Sequence, residues 1–302
     1  MGGNVFDSTA PIKKEHIKPT LLKFFKEFKR IFPKAEPHFR EMKTLGSVGK
    51  KDYSGDIDLA LSGKSFDTLD DWGITQERVT NLFNLFKKRA RTSTDEQLLK
   101  RAVIVAIAEK VQESDSEILV DIKGSSAGAL FLLFPQYDEN NQHVGDNVQI
   151  DINVGDIDWL EFAYYSNTYA GNVKGLHRTQ LLVSLFSNKG YTFSHNYGVK
   201  NKETQEIEAK TPQQAIDLLS KLYNVKLDRD ILSDYFTLIK VINTKLSDKD
   251  RQQVLDTYMK ILDSTRADIP EDLQQYWIDN QERLGLKGKY LPDNSNLIKY
   301  KR

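Results

Sequence analysis

The stretch "SGDIDLAL" at Ser54–Leu61 returns as "VGDIDWLE" at Val154–Glu161, so the chain spells Gly-Asp-Ile-Asp twice. Each copy sets two carboxylates one residue apart, and the flanking residues read differently. In the first copy, Leu59 and Leu61 continue a two-residue alternation begun by Ile57. On a strand, this puts Asp56, Asp58 and Ala60 on one face and the three aliphatic side chains on the other. Two adjacent carboxylates on one strand face repel each other and gain nothing from a core; they are stable against a divalent cation or open water. In the second copy, Asp158 is followed three residues later by Glu161, the spacing of a capping box, and Ile157 is placed to staple against Phe162. With the aromatic run "WLEFAYY" behind it, this copy predicts a helix start.

Composition frames both. A chain of 302 residues is longer than most single cores, which predicts two packed subdomains, and a hydrophobic fraction of 39% with 10% aromatics can fill them. The absence of cysteine excludes disulfides, thiolate zinc sites and thiol nucleophiles, and fits a reducing compartment, so a cytoplasmic location is expected. The longest uncharged apolar run, "AVIVAIA" at Ala102–Ala108, is far shorter than the ~20 residues that cross a bilayer. The N-terminus has no secretory pattern, and Phe6 stands where a myristoylation signal needs Ser or Thr, so no membrane association is expected. Net charge is zero but unevenly spread. Residues 13–34 carry eight Lys or Arg against two Glu, a local +6, whereas residues 138–161 carry seven acids and no Lys or Arg. The first region attracts polyanions and the second attracts cations.

Periodicity divides the chain in two. Leu21, Leu22, Phe24, Phe25, Phe28, Ile31 and Phe32 recur at helical spacing up to Pro33, giving an amphipathic helix with a basic outer face. Strand, turn and strand come next in "TLGSVGKKDYSGDIDLALSG", then helices over about 76–90 and 94–111. Further strands are expected in "EILVDIKG", "ALFLLFPQ" and "NVQIDINVG", the last two joined by the polar loop "YDENNQHVGD". Beyond Asp158 the pattern is helical, with a strand signal only around Tyr191–Phe193; Thr211-Pro212 opens one helix, and others are expected near 231–242, 248–262 and 271–284. The expected class is α+β: a mixed-sheet domain over residues 1–165 with inserted helices, then an all-helical domain over 166–302.

The "LGS" at Leu45–Ser47 shortly precedes the first acidic pair, in a turn rich in glycine and lysine. A Gly-Ser turn lets backbone N–H groups approach an anion closely, and the serine hydroxyl adds a bond to a phosphate oxygen. A phosphate cradle at Gly46 and Ser47 beside the carboxylates Asp56 and Asp58 is what a nucleoside triphosphate with Mg2+ requires.

Gly46-Ser47, Asp56-Ile57-Asp58 between apolar residues, and a later Asp flanked by apolar residues together resemble the nucleotidyltransferase superfamily of DNA polymerase β type. That group includes CCA-adding enzymes, poly(A) polymerases, oligoadenylate and cyclic-dinucleotide synthases, and protein nucleotidylating enzymes. The resemblance covers the first half by motif and the second half only by helical character. Two residues compete for the third carboxylate. Asp121 in "ILVDIKG" and Asp151 in "VQIDINVG" both sit alone between apolar neighbours; Asp151, directly ahead of the helical half, is preferred. Its distance from Asp58, 93 residues, argues for a larger member with helices inserted between strands.

The resemblance implies a catalytic and metal-binding set of Asp56, Asp58 and Asp151 holding two Mg2+ ions, with Mn2+ as a substitute, and attack of an acceptor hydroxyl on the α-phosphorus of an NTP with release of pyrophosphate. Asp151 is also the expected proton acceptor. A second constellation lies in "GNVKGLHRTQLL" at Gly171–Leu182. With Asn172 as cap, Lys174, His177 and Arg178 share one face of the first two turns. Cations there oppose the helix dipole unless an anion binds, and the resemblance implies a triphosphate at Lys174 and Arg178; a solvated basic face is the alternative. His177 and His195 read as packing or surface residues, and Tyr191, Phe193 and Tyr197 as core aromatics before base-stacking ones. The expected acceptor is an RNA 3′ end, favoured by the +6 segment and by "FKKRARTS" at Phe86–Ser93. Synthesis of a small nucleotide messenger, protein nucleotidylation and a nonenzymatic nucleotide or RNA sensor are the alternatives.

Overall fold

Five strands form one mixed sheet: β1 (Lys43–Thr44), β2 (Ile57–Ser62), β3 (Leu119–Val120), β4 (Ala129–Tyr137) and β5 (His143–Gly155). Their spatial order is β1-β2-β5-β4-β3. The computed structural model describes residues 5–91, 93–125, 128–164, 166, 173–290 and 298–300. The chain divides into two units, Met1–Glu161 and Phe162–Arg302.

In the first unit the two-residue alternation works as the sequence predicts. Ile57, Leu59 and Leu61 of β2, Leu130, Leu132 and Phe134 of β4, and Ile150, Ile152 and Val154 of β5 are all buried in one core. Helix α1 (Lys14–Ile31) lays Phe24 and Phe28 into that core, with the Phe24 ring edge-on to Phe134 at 5.6 Å. Phe32 caps α1 and Pro33 opens a short 3-10 turn, so the helix stops where proline forbids its continuation. Helices α2 (Gln76–Lys87) and α3 (Asp95–Glu113) pack together, and α3 buries the whole run Ala102–Ala108. Thr94 and Gln97 close a reciprocal capping box at the start of α3. The loop between β4 and β5 is turned by Asp138, whose Oδ1 accepts from the N–H groups of Asn140 and Gln142. The segment "EILVDIKG" is strand only at β3; Ile122–Ser125 is one helical turn.

β2 and β5 run parallel with Asp58 beside Asp151 and Ala60 beside Asn153, while β4 pairs antiparallel to β5 with Phe131 opposite Asp151. One face of the sheet is therefore aliphatic core, and the other carries Asp58, Asp151, Gln149 and Asn153. Helix α4 (Ile157–Tyr164) comes directly after β5.

The second unit is mostly helical, with α5 (Gly175–Asn188) and further helices at Pro212–Tyr223, Tyr235–Lys245, Asp248–Thr265 and Gln274–Leu284 among its described residues. It is not all helix. Strands β6 (Tyr191–Ser194), β7 (Gly198–Asn201) and β8 (Ile207–Ala209) form an antiparallel sheet in the order β8-β7-β6, which corrects the all-helical expectation. Gly198 is required there: its φ is +96°, and a Cβ would stand 2.0 Å from the Ala209 carbonyl oxygen. No described helix is long and apolar enough to cross a membrane.

Candidate metal centre

Parallel pairing places Asp58 and Asp151 side by side on adjacent strands, and Asp56 precedes β2 by one residue on the same side. Carboxylate oxygens of Asp56, Asp58 and Asp151 all lie within 4.8 Å of one another. Burial pushes Asp151 up to about 7. Asp58 is held well above the usual carboxylate range by burial and then by the charges of Asp56 and Asp151, and burial raises Asp56 as well. Three carboxylates this close cannot all ionise without a compensating cation. The buried Oδ2 of Asp56 has no hydrogen-bond partner among the described residues, and a buried acceptor of this kind costs about 1–3 kcal/mol if nothing satisfies it. An all-oxygen anionic donor set with an orphaned oxygen fits a hard divalent cation such as Mg2+ or Mn2+.

Two amides flank the acids. Gln149 Nε2 donates to both Asp151 oxygens, at 2.8 and 3.0 Å, and Asn153 Nδ2 reaches Asp58 Oδ1 at 3.4 Å. The sequence reading did not single these out. Their signal is the alternation Gln149-x-Asp151-x-Asn153 inside an otherwise aliphatic strand, which puts three polar side chains on one face.

The Gly-Ser turn adjoins the acids. The Leu45 N–H donates to the Asp58 carbonyl at 2.9 Å, tying the turn to β2. Gly46 has φ +61°, a left-handed conformation that favours glycine, and a Cβ there would point at Asp58 Oδ2 from 3.7 Å. Ser47 comes next, half-buried, at the same bend. Asp121 is elsewhere: β4 lies between β3 and β5, and Asp121 Oδ1 accepts the Gly124 N–H at the start of the Ile122–Ser125 turn. It serves as a local cap and is not part of the acidic cluster.

No family model and no curated protein matches this chain. Among solved structures it is similar to the crystal structure of Leishmania infantum polymerase beta in a ternary P/T complex, with 13% identity over 74% of this chain and 76% of that one and a TM-score of 0.37. The chemistry of the site is therefore read from its own geometry.

The second Gly-Asp-Ile-Asp opens α4, as expected, but the cap is displaced by two residues. Asp156 Oδ1 accepts the Trp159 N–H at 2.8 Å, which makes Asp156 the cap and leaves Asp158 inside the first turn. Glu161 pairs with Lys43 at 3.4 Å.

In the second unit, Asn172 lies outside the described residues, and α5 begins at Gly175 with Lys174 ahead of it. Lys174 pairs at the surface with Asp268 at 2.9 Å. Arg178 is fully buried. Its Nε donates to the Leu232 carbonyl, and its Nη1 to those of Phe162 and Ala163. The expected triphosphate contact at Arg178 does not fit this burial: the guanidinium donates to three main-chain carbonyls of its own unit. His177 accepts the Lys174 N–H at Nδ1, so Nε2 carries the proton and donates to the Asp268 carbonyl. Burial lowers its pKa and keeps it neutral. Phe193 stacks on Phe186 at 5.5 Å in the core, whereas the Tyr197 ring lies under Lys200.

Proposed function

We propose that this chain is a metal-dependent nucleotidyltransferase that moves a nucleoside monophosphate from an NTP to an acceptor hydroxyl, with an RNA 3′ end as the acceptor. The observation that carries the reading is the cluster of Asp56, Asp58 and Asp151 beside the Gly46-Ser47 turn. Asp56, Asp58 and Asp151 would hold the divalent cations. When bound, such ions balance charge on the attacking and leaving oxygens of an in-line displacement.

The protein groups have separable tasks. Backbone N–H groups of the Gly46-Ser47 turn and the Ser47 hydroxyl bind phosphate oxygens and fix the triphosphate against the acids. The acceptor oxygen attacks the α-phosphorus, the bond from that phosphorus to the bridging oxygen breaks, and pyrophosphate leaves. The acceptor proton passes to a carboxylate oxygen of Asp151. RNA as acceptor is supported by α1, where Lys18, Lys26, Lys29 and Arg30 are exposed while Phe24 and Phe28 face the core. Part of that charge is already matched, since Arg30 pairs with Glu27 and Lys29 with Glu36.

The test supplies each α-labelled NTP with Mg2+ and total cellular RNA to the wild type and to Asp58→Asn. Label joined to RNA by the wild type alone is expected. Label in a small nuclease-resistant nucleotide without RNA would replace the RNA acceptor with a messenger product, and no label transfer from any NTP would overturn the enzyme reading.

A further inference from the structure

Gln149 is 1% exposed and shares a face of β5 with Asp151. A side-chain amide has an oxygen and a nitrogen of similar shape, so its orientation is set by its partners. Here the partners are unambiguous. The main-chain N–H of Val5 lies 3.1 Å from Gln149 Oε1 and can only donate, while an ionised Asp151 can only accept. The NH2 group must therefore face Asp151, as its distances of 2.8 and 3.0 Å to the two oxygens require.

The segment carrying Val5 is fixed in turn by β5 and β4. Thr9 bridges Asn147 in parallel, the Ala10 N–H donates to the Asn147 carbonyl at 2.9 Å, and Gln136 Nε2 donates to the Ala10 carbonyl at 2.9 Å. Residues 5–10 thus run beside the part of β5 that extends past the start of β2, and bring a backbone donor to the far end of the Gln149 amide. A buried amide used only for packing is costlier than an aliphatic side chain of the same volume. This one spends both ends on a chain of bonds that leads to a single carboxylate.

We propose that Gln149 is a positioning residue for the metal centre, holding the Asp151 carboxylate in its cation-binding orientation, and that the Val5 N–H locks the Gln149 amide in the donating sense. A carboxylate has about four lone-pair sites, so one amide donor leaves Asp151 able to ligate. Partners that orient metal ligands in this way are commonly worth about 10–100-fold in metal affinity. The inference rests on the metal-dependent reading of the site, and its test separates the two.

Mn2+ affinity is measured by electron paramagnetic resonance on the full chain without nucleotide, for wild type, Asp58→Asn, Gln149→Met and Val5→Pro. Methionine keeps the volume of glutamine and removes the amide. Proline removes the N–H and fixes φ, at a residue that is 38% exposed. The expected result is a loss of about 10–100-fold in Gln149→Met with an unchanged metal-free Tm, and a smaller loss in Val5→Pro. Affinities of both variants within about twofold of wild type, far short of the loss expected for such partners, would overturn the role of Gln149 while leaving the metal centre standing. If Gln149→Met does not fold, wild-type affinity in Val5→Pro overturns it alone. Equal binding by wild type and Asp58→Asn, or none by either, would overturn the metal centre and the inference together.

Discussion

The two Gly-Asp-Ile-Asp copies share four residues and differ in their C-terminal neighbours. Leucine and alanine after the first prolong a strand, so Asp58 meets Asp151 across parallel ladders and three carboxylates gather on one face. Tryptophan, leucine and glutamate after the second begin a helix, so Asp156 turns to its own backbone and caps α4. The same acidic pair thus becomes a charge cluster that destabilises the metal-free fold or a cap that stabilises it. The difference is made by secondary structure: a strand aligns carboxylates with those of neighbouring strands, whereas a helix N-terminus supplies N–H donors and a favourable dipole. The far end of α4 continues the contrast, because the Phe162 and Ala163 carbonyls accept the buried Arg178 guanidinium.

The largest expected effect separates the copies by activity. Asp58→Asn removes one of the three proposed ligands and should reduce labelled-NTP transfer by about a thousandfold or more, the several kcal/mol that metal catalysis supplies. It should also raise the metal-free Tm, because one of three mutually repelling acids becomes neutral. A variant that keeps its activity would place the chemistry elsewhere.

Next comes Arg178→Ala, which strips donors from buried carbonyls at the end of the second copy's helix. A loss of about 3 kcal/mol or more is expected in chemical denaturation, since each abandoned buried acceptor costs about 1–3 kcal/mol. An unchanged midpoint together with a raised KM for NTP would restore the nucleotide role expected from sequence.

The site's legibility in the sequence depends on the range of the forces involved. That Asp56 and Asp58 share a strand face was readable because a two-residue period is local; that Asp151, not Asp121, joins them was readable only from its place directly ahead of the helical half. The cap at Asp156 was missed by two residues, an offset ordinary for helix starts. The burial of Arg178 was not legible because its partners at Phe162, Ala163 and Leu232 come from other parts of the chain, so its i, i+4 spacing from Lys174 carried no sign of it. Of the sheet of β6, β7 and β8, only β6 gave a signal, at Tyr191–Phe193; the other two escaped because they are three or four residues long and lie among polar residues.

A smaller effect concerns pH. Asp58 and Asp151 have folded pKa values above their unfolded ones, so their contribution to stability is greatest below about 4 and is lost as pH rises towards 7, the folded value of Asp151. Between pH 5 and 8, in chelator, the wild-type Tm should therefore fall relative to that of Asp151→Asn, and Mg2+ should reverse the difference at the alkaline end. Parallel curves for the two proteins would mean that Asp151 is ionised without metal. The smallest effect belongs to the second copy: Asp156→Ala should cost about 1 kcal/mol, as a lost cap does, and Asp158→Asn less, with transfer activity retained in both.

The most direct measurement of the central claim is anomalous scattering from crystals of the full chain grown with Mn2+ and a nonhydrolysable NTP. Mn2+ peaks bounded by the carboxylates of Asp56, Asp58 and Asp151 are expected, with the triphosphate against Gly46 and Ser47 and no peak at Asp156 or Asp158. A peak at the second copy, or none among the three acids of the first cluster, would contradict the assignment.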